Sequence, residues 1–315
     1  MYHPYLRGKQ FELILLRDNS TMIAENNVHP IIEPVRKDFK SLKRALKSLA
    51  DSKALYTLII NPITGETPVP QESLLNFIEK PPFILGNVSL GYILGADSKI
   101  DELTKLLKKY RDKDFSIIHY GYPNSKIIAE NVKPFENVKR HIFIDGYAGK
   151  LYQRHLRKDG VKRILIRDGF KPQRKNALYP ESEHFSDLHI TYPDEGMDGF
   201  GDFLTVGDDY SETGGPAYAV AIHLTYLNEE NDMFIYHFVS DRTDSPTDPG
   251  GKFLEALQKL IMKGSEANTL IYKSKAYQEF NELFEKQHYP GLGYVKKLSM
   301  QHHLELIIDF LKNVK

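Results

Sequence analysis

The feature that most constrains this chain is a regular alternation of short apolar segments with amphipathic ones. Between residues 2 and 169 the alternation repeats seven times, and each apolar segment has the length of a buried strand. Strands that alternate with helical segments are typical of a parallel sheet covered by its crossover helices. The predicted strands lie at residues 2–6, 29–35, 56–61, 89–95, 115–121, 140–146 and 163–169. The sequence therefore predicts an α/β fold.

The segment FELILL, at residues 11–16, decides where the first strand ends. If it were a strand, Arg7 would only flank it. Its apolar residues do not alternate, however, and three of them have the i, i+3, i+4 spacing of a helical face. Glu12 would then lie in the first turn, where the helix dipole favours a negative charge. We therefore predict a strand at residues 2–6 and a helix at residues 9–25.

An eighth strand is needed to close a barrel, and two segments qualify. Residues 202–206 (DFLTV) and residues 219–226 (AVAIHLTY) are both largely apolar. The second also faces residues 233–241 across a polar turn, which is the pattern of a β-hairpin. Either the first segment closes the barrel and the hairpin is an addition, or the second closes it. We predict a (β/α)8 TIM-like barrel with an added β-hairpin, and an open doubly wound sheet is the alternative.

No linker or low-complexity segment divides the chain, so we predict one elaborated barrel domain over residues 1–315. The barrel is expected at about residues 1–226 and the hairpin at residues 218–241. Three amphipathic segments follow the hairpin, and they predict C-terminal helices within residues 252–313.

The composition excludes several classes of protein. The 42 basic and 42 acidic residues balance, and a neutral chain is poorly suited to wrapping duplex nucleic acid. The absence of cysteine excludes disulfides, a thiolate nucleophile and cysteine-based zinc sites. No apolar run approaches the ~20 residues of a membrane helix, and the first residues do not resemble a signal peptide. We therefore expect a cytoplasmic protein that does not enter a membrane.

Ionisable and amide side chains follow nearly every predicted strand, which is where barrel enzymes carry their functional residues. Acid–base catalysis is predicted for three of them: Glu33, His119 and Asp145. The others are predicted to bind a ligand, because basic groups bind phosphate or carboxylate and amides and carboxylates bind polar groups. These ligand-binding candidates are Arg7, Lys9, Arg36, Asn61, Arg167 and Asp209.

The same side chains also allow a structural interpretation. Glu33 with Arg36, or Asp145 with Arg167, could be ion pairs that hold the mouth of the barrel together without a ligand. His119 could be a hydrogen-bonded residue of the core. For the set as a whole we favour a binding or catalytic mouth, because the C-terminal face of a barrel is its functional face.

The sequence does not identify a cofactor, although one segment contains acidic side chains that could bind a divalent cation. GDDYSE offers Asp208, Asp209 and Glu212, but its spacing is not that of an EF-hand loop, and a solvated acidic loop is the simpler interpretation. Three further residues of metal-binding type lie in the segment 171–197, which is predicted to be irregular: His184, Asp187 and His189. The chain contains no P-loop, nucleophile-elbow, zincin or dinucleotide-binding motif.

The N-terminal region resembles the "beta protein" family, which is named after a phage protein and is scattered through bacterial genomes and mobile islands. That family shares a pattern close to Y-x-P-x-L-[KR]-x-K-x-x-E, followed by P-[IL]-[IL]-E. Here the pattern falls on Tyr2, Pro4, Leu6, Arg7, Lys9 and Glu12, then on Pro30, Ile31, Ile32 and Glu33. The later segments RILIRDG, GFGDF and AVAIHLTY are also similar to that family. The resemblance implies a barrel-like α/β fold and an association with phage-defence or mobile-element loci, without an established reaction.

Two hypotheses of function follow. In the first, the protein is a hydrolase or lyase that acts on a phosphorylated or nucleotide-like ligand at the mouth of the barrel. In the second, it is a non-catalytic scaffold of a phage-defence system. The scaffold would bind a companion protein encoded nearby, through the hairpin and the C-terminal helices. The charged strand exits favour the first hypothesis, and the lack of an established catalytic motif favours the second.

Overall fold

The computed structural model describes residues 1–65, 67–80, 86–211, 215 and 217–313. The chain divides into two compact units, which are described separately. The first unit is Met1–Arg167 with Leu188–Asp202, and the second is Asp168–Asp187 with Phe203–Lys315. The organisation of residues 1–315 as one domain stays a prediction.

The first unit is built on eight parallel strands. Each strand is hydrogen-bonded to the next in the order β1-β2-β3-β4-β5-β6-β7-β9, and every one of these pairs is parallel. The strands are β1 (Tyr5–Leu6), β2 (Ile31–Ile32), β3 (Tyr56–Ile59), β4 (Val88–Leu94), β5 (Asp114–His119), β6 (Val138–Ile144), β7 (Lys162–Ile166) and β9 (Gly199–Gly201), while β8 (Ser182–Ser186) belongs to the second unit. This architecture confirms the predicted TIM-like barrel.

Hydrogen bonds between β9 and the N-terminal segment complete the ring. The amide of His3 donates to the carbonyl of Phe200, and the amide of Tyr5 donates to the carbonyl of Asp202, each at 2.8 Å. The eighth strand is therefore Gly199–Gly201, and both segments predicted for this role, residues 202–206 and 219–226, are wrong. The hydrophobic pattern could not reveal β9, because its three residues include two glycines and only one apolar side chain.

The glycines of β9 are required by the close approach of the N-terminal backbone. A Cβ placed on Gly199 would lie 2.7 Å from the carbonyl oxygen of Met1, and a Cβ on Gly201 would overlap the carbonyl oxygen of His3. The strand that closes the barrel therefore carries glycine for a steric reason that its own sequence does not show.

Helices follow the strands of the first unit. They are α1 (Gln10–Asp18), α2 (Ser20–Glu25), α3 (Lys40–Asp51), α4 (Gln71–Glu79), α5 (Ile100–Lys109), α6 (Ser125–Val132), α7 (Lys150–Arg154) and α8 (Leu188–Thr191). FELILL lies in α1, so its helical interpretation is confirmed. The single helix predicted at residues 9–25 is instead two helices, because Asn19 donates from its side-chain amide to the carbonyl of Leu15 and ends α1.

Polar side chains fill part of the barrel interior and show which residues point inward. The hydroxyl oxygens of Thr57 and Ser116 lie 3.2 Å apart, and those of Ser116 and Ser89 lie 2.8 Å apart. Because side chains alternate along a strand, His119, three residues after Ser116 in β5, points outward. The parallel pairing places the residues that follow β2, β3, β6 and β7 at one end of the barrel, as predicted.

The second unit contains a three-stranded antiparallel sheet in the order β10-β11-β8. Strands β10 (Ala221–Leu227) and β11 (Met233–Val239) form the hairpin predicted at residues 218–241. Strand β8 pairs with β11, so the prediction that residues 171–197 are irregular is wrong for this part. Its sequence SEHFS is mainly polar because it is an edge strand, and the apolar pattern therefore missed it.

Three helices complete the second unit and confirm the predicted C-terminal helices. They are α9 (Pro249–Gly264), α10 (Lys275–Glu285) and α11 (Leu292–Asn313). They form an apolar core with β10 and β11 that includes Ile222, Leu224, Phe253, Leu257 and Phe280. Among the residues that the structure describes, no helix combines the length and the apolar character needed to cross a membrane.

Candidate functional site

Glu33 follows β2 and is buried inside the mouth of the barrel, with 1% of its surface exposed. Its Oε1 accepts hydrogen bonds from the backbone amides of Ile63 and Thr64, each at 2.9 Å. Its Oε2 accepts a hydrogen bond from the hydroxyl of Tyr5 at 2.8 Å, and Nε of Arg7 lies 4.0 Å from the same oxygen. These contacts hold the carboxylate in place and connect the loop after β3 to β1 and β2.

The three basic residues predicted at the exits of β1 and β2 differ in their exposure and in their contacts. Arg7 is 8% exposed, and its Nε donates to the hydroxyl of Thr64 at 3.3 Å. Lys9 immediately precedes α1, and its backbone amide donates to the carboxylate of Glu12. Arg36 is exposed to solvent. The cation beside Glu33 is thus Arg7, and the predicted pair of Glu33 with Arg36 is wrong.

Asn61 follows β3, and its side chain bonds to the backbone of β4. Its side-chain amide donates to the carbonyl of Ile93 at 2.9 Å, and its side-chain oxygen accepts the amide of Ile93 at 2.8 Å. The two bonds extend the pairing of β3 with β4 by one side chain. Asn61 therefore stabilises the wall of the barrel at its mouth.

Asp145 and Arg167 form part of a charged network at the exits of β6 and β7. Nε of Arg167 lies 2.6 Å from Oδ2 of Asp145, and its Nη2 lies 2.6 Å from Oε1 of Glu195. Lys150 forms an ion pair with the same Glu195. Burial raises the pKa of Glu195, but Lys150 and Arg167 outweigh burial and lower it. The network supports the structural interpretation of the Asp145–Arg167 pair.

His119, the third acid–base candidate, is fully buried between the barrel wall and α7. Its Nδ1 lies 2.9 Å from the hydroxyl oxygen of Tyr152, and its Nε2 lies 2.9 Å from Nδ1 of His141. Its ring stacks on Phe143 at 4.8 Å. Burial, and then His141, lower the pKa of His119 well below its usual value, so the imidazole is neutral near pH 7. We expected His119 to line the mouth of the barrel, and the structure does not place it there.

The acidic segment after β9 lies in the second unit. Asp168 accepts the amides of Phe170 at 2.9 Å and Asp208 at 2.7 Å, so it organises the loop. Asp209 is exposed, and Glu212 lies outside the described residues. Within the ranges that the structure describes, no three histidine or acidic side chains form a group that could hold a metal ion.

Two tyrosines form a stacked pair at the exits of β5 and β6. The ring centroids of Tyr120 and Tyr147 are 4.1 Å apart, with an angle of 20° between the planes. The amide of Tyr120 donates to the carbonyl of Leu94 at 2.9 Å, so β5 continues beyond His119 and Tyr120 points over the barrel interior. Tyr147 is 48% exposed. Tyr120 lies near the end of the strand predicted at residues 115–121, whereas Tyr147 lies beyond the predicted strands, so the stack depends on the loop after β6 and was not predicted.

Replacing Arg167 with Ala is expected to lower the free energy of unfolding by about 1–2 kcal/mol, because two carboxylates lose their shared cation in a partly solvent-screened network. Urea unfolding would measure the loss. Arg154→Ala is a matched control, since Arg154 is an exposed arginine on nearby α7. If both variants unfold at the same urea concentration as the unchanged protein, Arg167 does not support the fold, and it becomes available again as a ligand-binding residue.

The strand exits therefore carry an aromatic pair and two charged groups, one of Arg7 with Glu33 and one of Arg167 with Asp145. Comparison of the chain with protein-family models and with curated proteins finds no match.

Proposed function

We propose that the mouth of the barrel binds a phosphorylated, nucleotide-like ligand. The observation that carries this proposal is the Tyr120–Tyr147 stack, because Tyr147 presents a half-exposed aromatic ring at the rim of the barrel. A nucleobase that stacks on such a ring gains ~1–3 kcal/mol, and every base has a flat face that can stack. The Tyr120–Tyr147 stack would bind the base of the ligand.

Arg7 would bind the phosphate of the same ligand. Strand β5 is four strands from β1 in a ring of eight, so Arg7 lies across the mouth from the tyrosine stack. A guanidinium group can form two parallel hydrogen bonds to a phosphate. Glu33 and Thr64 orient this side chain from within the barrel. Lys9, which follows the same strand as Arg7, and Arg36, which follows β2, would add positive charge on this side of the mouth.

We propose a hydrolase or lyase reaction, in which Asp145 would be the general base. Asp145 has a side chain that is 42% exposed, whereas Glu33 and His119 are buried and bonded within the protein. The amide of Gly146 at 3.0 Å and the guanidinium of Arg167 orient its carboxylate. A carboxylate that is accessible and oriented can remove a proton from water or from the ligand. Glu33 would position Arg7.

The second candidate is a non-catalytic scaffold. The observation that favours it is the internal bonding of Glu33, Asn61 and Arg167, which explains their conformations without a ligand. The second unit also exposes apolar side chains that a companion protein could cover, including Tyr218 before β10 and Met262 on α9. An association with phage defence rests only on the N-terminal resemblance.

The Tyr147→Ala variant tests the proposed ligand site. We expect adenosine monophosphate to bind the unchanged protein and to bind this variant ~10–100-fold more weakly, because one stacking surface is lost. Isothermal titration calorimetry would measure both affinities. Tyr218→Ala is a matched control, because Tyr218 is 49% exposed and lies in the second unit.

Ribose phosphate lacks the base, so its affinity measures phosphate binding without the contribution of stacking. Its affinity should be the same for the unchanged protein and for Tyr147→Ala. If adenosine monophosphate does not bind, or binds the Tyr147 and Tyr218 variants equally, the nucleotide proposal is wrong and the scaffold hypothesis is favoured.

A further inference from the structure

An open cleft of about 580 Å³ lies at the end of the barrel opposite the mouth, where β7 begins. Its walls come from two loops of the first unit, the loop between α7 and β7 and the loop that precedes β9. Four cationic residues line it, together with two acidic ones: Arg157, Lys158, Lys162, Arg163, Asp159 and Asp198. The cleft is therefore positively charged in a protein whose overall charge is balanced.

Arg163 forms the rigid part of this cleft. Its backbone amide donates to Oδ2 of Asp198 at 2.9 Å, and its backbone carbonyl accepts the amide of Asp198 at 2.7 Å. Its Nη1 donates to the carbonyl of Gly196 at 2.6 Å. The side chain is 7% exposed, and its Nε is buried without a hydrogen-bond partner. A buried guanidinium nitrogen that lacks a partner is energetically unfavourable unless a ligand or water supplies one.

Arg157 lies beside Arg163 in this cleft. A Cβ placed on Gly196 would lie 3.0 Å from Nη2 of Arg157 and 3.4 Å from Nη1 of Arg163, so both guanidinium groups lie close against this glycine and close to each other. Gly196 has a φ of +72°, a conformation that glycine adopts without strain. Arg157 is exposed, and it forms no hydrogen bond or ion pair with any residue in the described part of the chain.

The remaining charges leave the cleft positive. Lys158 donates to the carbonyl of Lys133, which does not neutralise its charge. Lys162 lies 3.3 Å from Oδ1 of Asp198 and is largely exposed, so this ion pair is weak. Burial and then Arg157 lower the pKa of Arg163, although Asp198 opposes them. Two like charges held side by side destabilise one another, and an anion between them would remove that repulsion.

The geometry points to a second binding site, in which Arg157 and Arg163 hold a phosphate group of a small anion over Gly196. The site is independent of the proposed function, because it lies at the other end of the barrel from Arg7 and the tyrosine stack. Arg157 and Arg163 both line the cleft, and Nη2 of the first and Nη1 of the second both lie beside Gly196, so the two groups could bind different oxygens of one phosphate. Lys158 and Lys162 line the same cleft and would suit a ligand with two linked phosphates.

Inorganic pyrophosphate is the probe, titrated into the full chain by isothermal titration calorimetry at low ionic strength. We expect Arg157→Ala to weaken binding at least tenfold without changing the thermal midpoint, because Arg157 is exposed and supports no other residue. Arg154→Ala, which removes an exposed arginine from α7 and not from the cleft, should leave the affinity within twofold.

The Arg157→Lys variant tests whether the cleft is a specific binding site or only a positively charged surface. It keeps the charge and loses the planar pair of donors, so we expect binding between that of Arg157→Ala and that of the unchanged protein. The proposal is overturned if pyrophosphate fails to bind, if Arg157→Ala binds as well as the unchanged protein, or if Arg154→Ala and Arg157→Ala are equally impaired. Tyr147→Ala should bind pyrophosphate normally, so this result stands apart from the nucleotide test at the mouth.

Discussion

Replacing Glu33 with Ala is expected to lower the free energy of unfolding by roughly 3–5 kcal/mol. The carboxylate accepts the amides of Ile63 and Thr64 and the hydroxyl of Tyr5, all inside the mouth of the barrel. Without it, the buried Tyr5 hydroxyl and two part-buried backbone amides lose their acceptor, and Arg7 loses the opposite charge at 4.0 Å. Urea unfolding followed by circular dichroism would measure the loss.

Glu33→Gln is the matched control for the size of the side chain. Its amide oxygen can still accept the two backbone amides, but its amide nitrogen replaces Oε2, so it cannot accept from the Tyr5 hydroxyl and offers no negative charge to the Arg7 guanidinium. We therefore expect a smaller loss of about 1–2 kcal/mol. If Glu33→Ala proves as stable as the unchanged protein, the carboxylate does not organise the mouth, and a direct role towards a ligand becomes the better explanation for its burial.

Replacing Gly201 with Ala is expected to destabilise the barrel by roughly 3 kcal/mol or more, at the upper end of what overpacking produces. The added methyl group would overlap the carbonyl oxygen of His3 and would lie 2.6 Å from Cδ1 of Ile166. The first of these atoms belongs to the backbone, so relief requires the N-terminal segment to move away from β9. Such a movement breaks the hydrogen bonds that complete the ring of strands.

Gly149→Ala provides the control for the Gly201 prediction. Gly149 precedes α7 with a φ of −66°, and no atom lies within 4 Å of an added Cβ. Its replacement should change the free energy of unfolding by no more than about 0.5 kcal/mol. Thermal and urea unfolding of the two variants would test the difference. Equal stability of Gly201→Ala and Gly149→Ala would contradict the assignment of Gly199–Gly201 as the closing strand.

Local periodicity was sufficient to predict most of the barrel. The strands β1 to β7 and the helical state of FELILL were predicted from spacing alone, because each element buries its own apolar face and the pattern records that burial. The helical face of α1 was less well predicted. Leu13 and Leu16 are buried, whereas Phe11 and Ile14 are only partly buried, because the surrounding elements decide which side of a largely apolar helix is covered.

The candidate site was only partly predictable for a related reason. A strand exit can be read from the sequence, but the direction of the side chain and its partner depend on neighbouring strands. Arg7 and Glu33 point into the mouth as a pair, yet His119 points outward to Tyr152 and His141. Arg167 joins Glu195, which lies 28 residues further along the chain, and no local pattern connects the two.

Hydrophobic periodicity is a property of each element alone, and it was enough to predict a parallel α/β barrel with a hairpin and C-terminal helices. The tertiary structure decided the closing strand, the burial of His119 and the two arginines beside Gly196. Each of these depends on atoms that distant segments bring together: β9 is a strand because the N-terminal backbone pairs with it, and Arg157 and Arg163 both lie beside Gly196 because two loops meet there. Contacts of this kind leave no periodic pattern in the sequence.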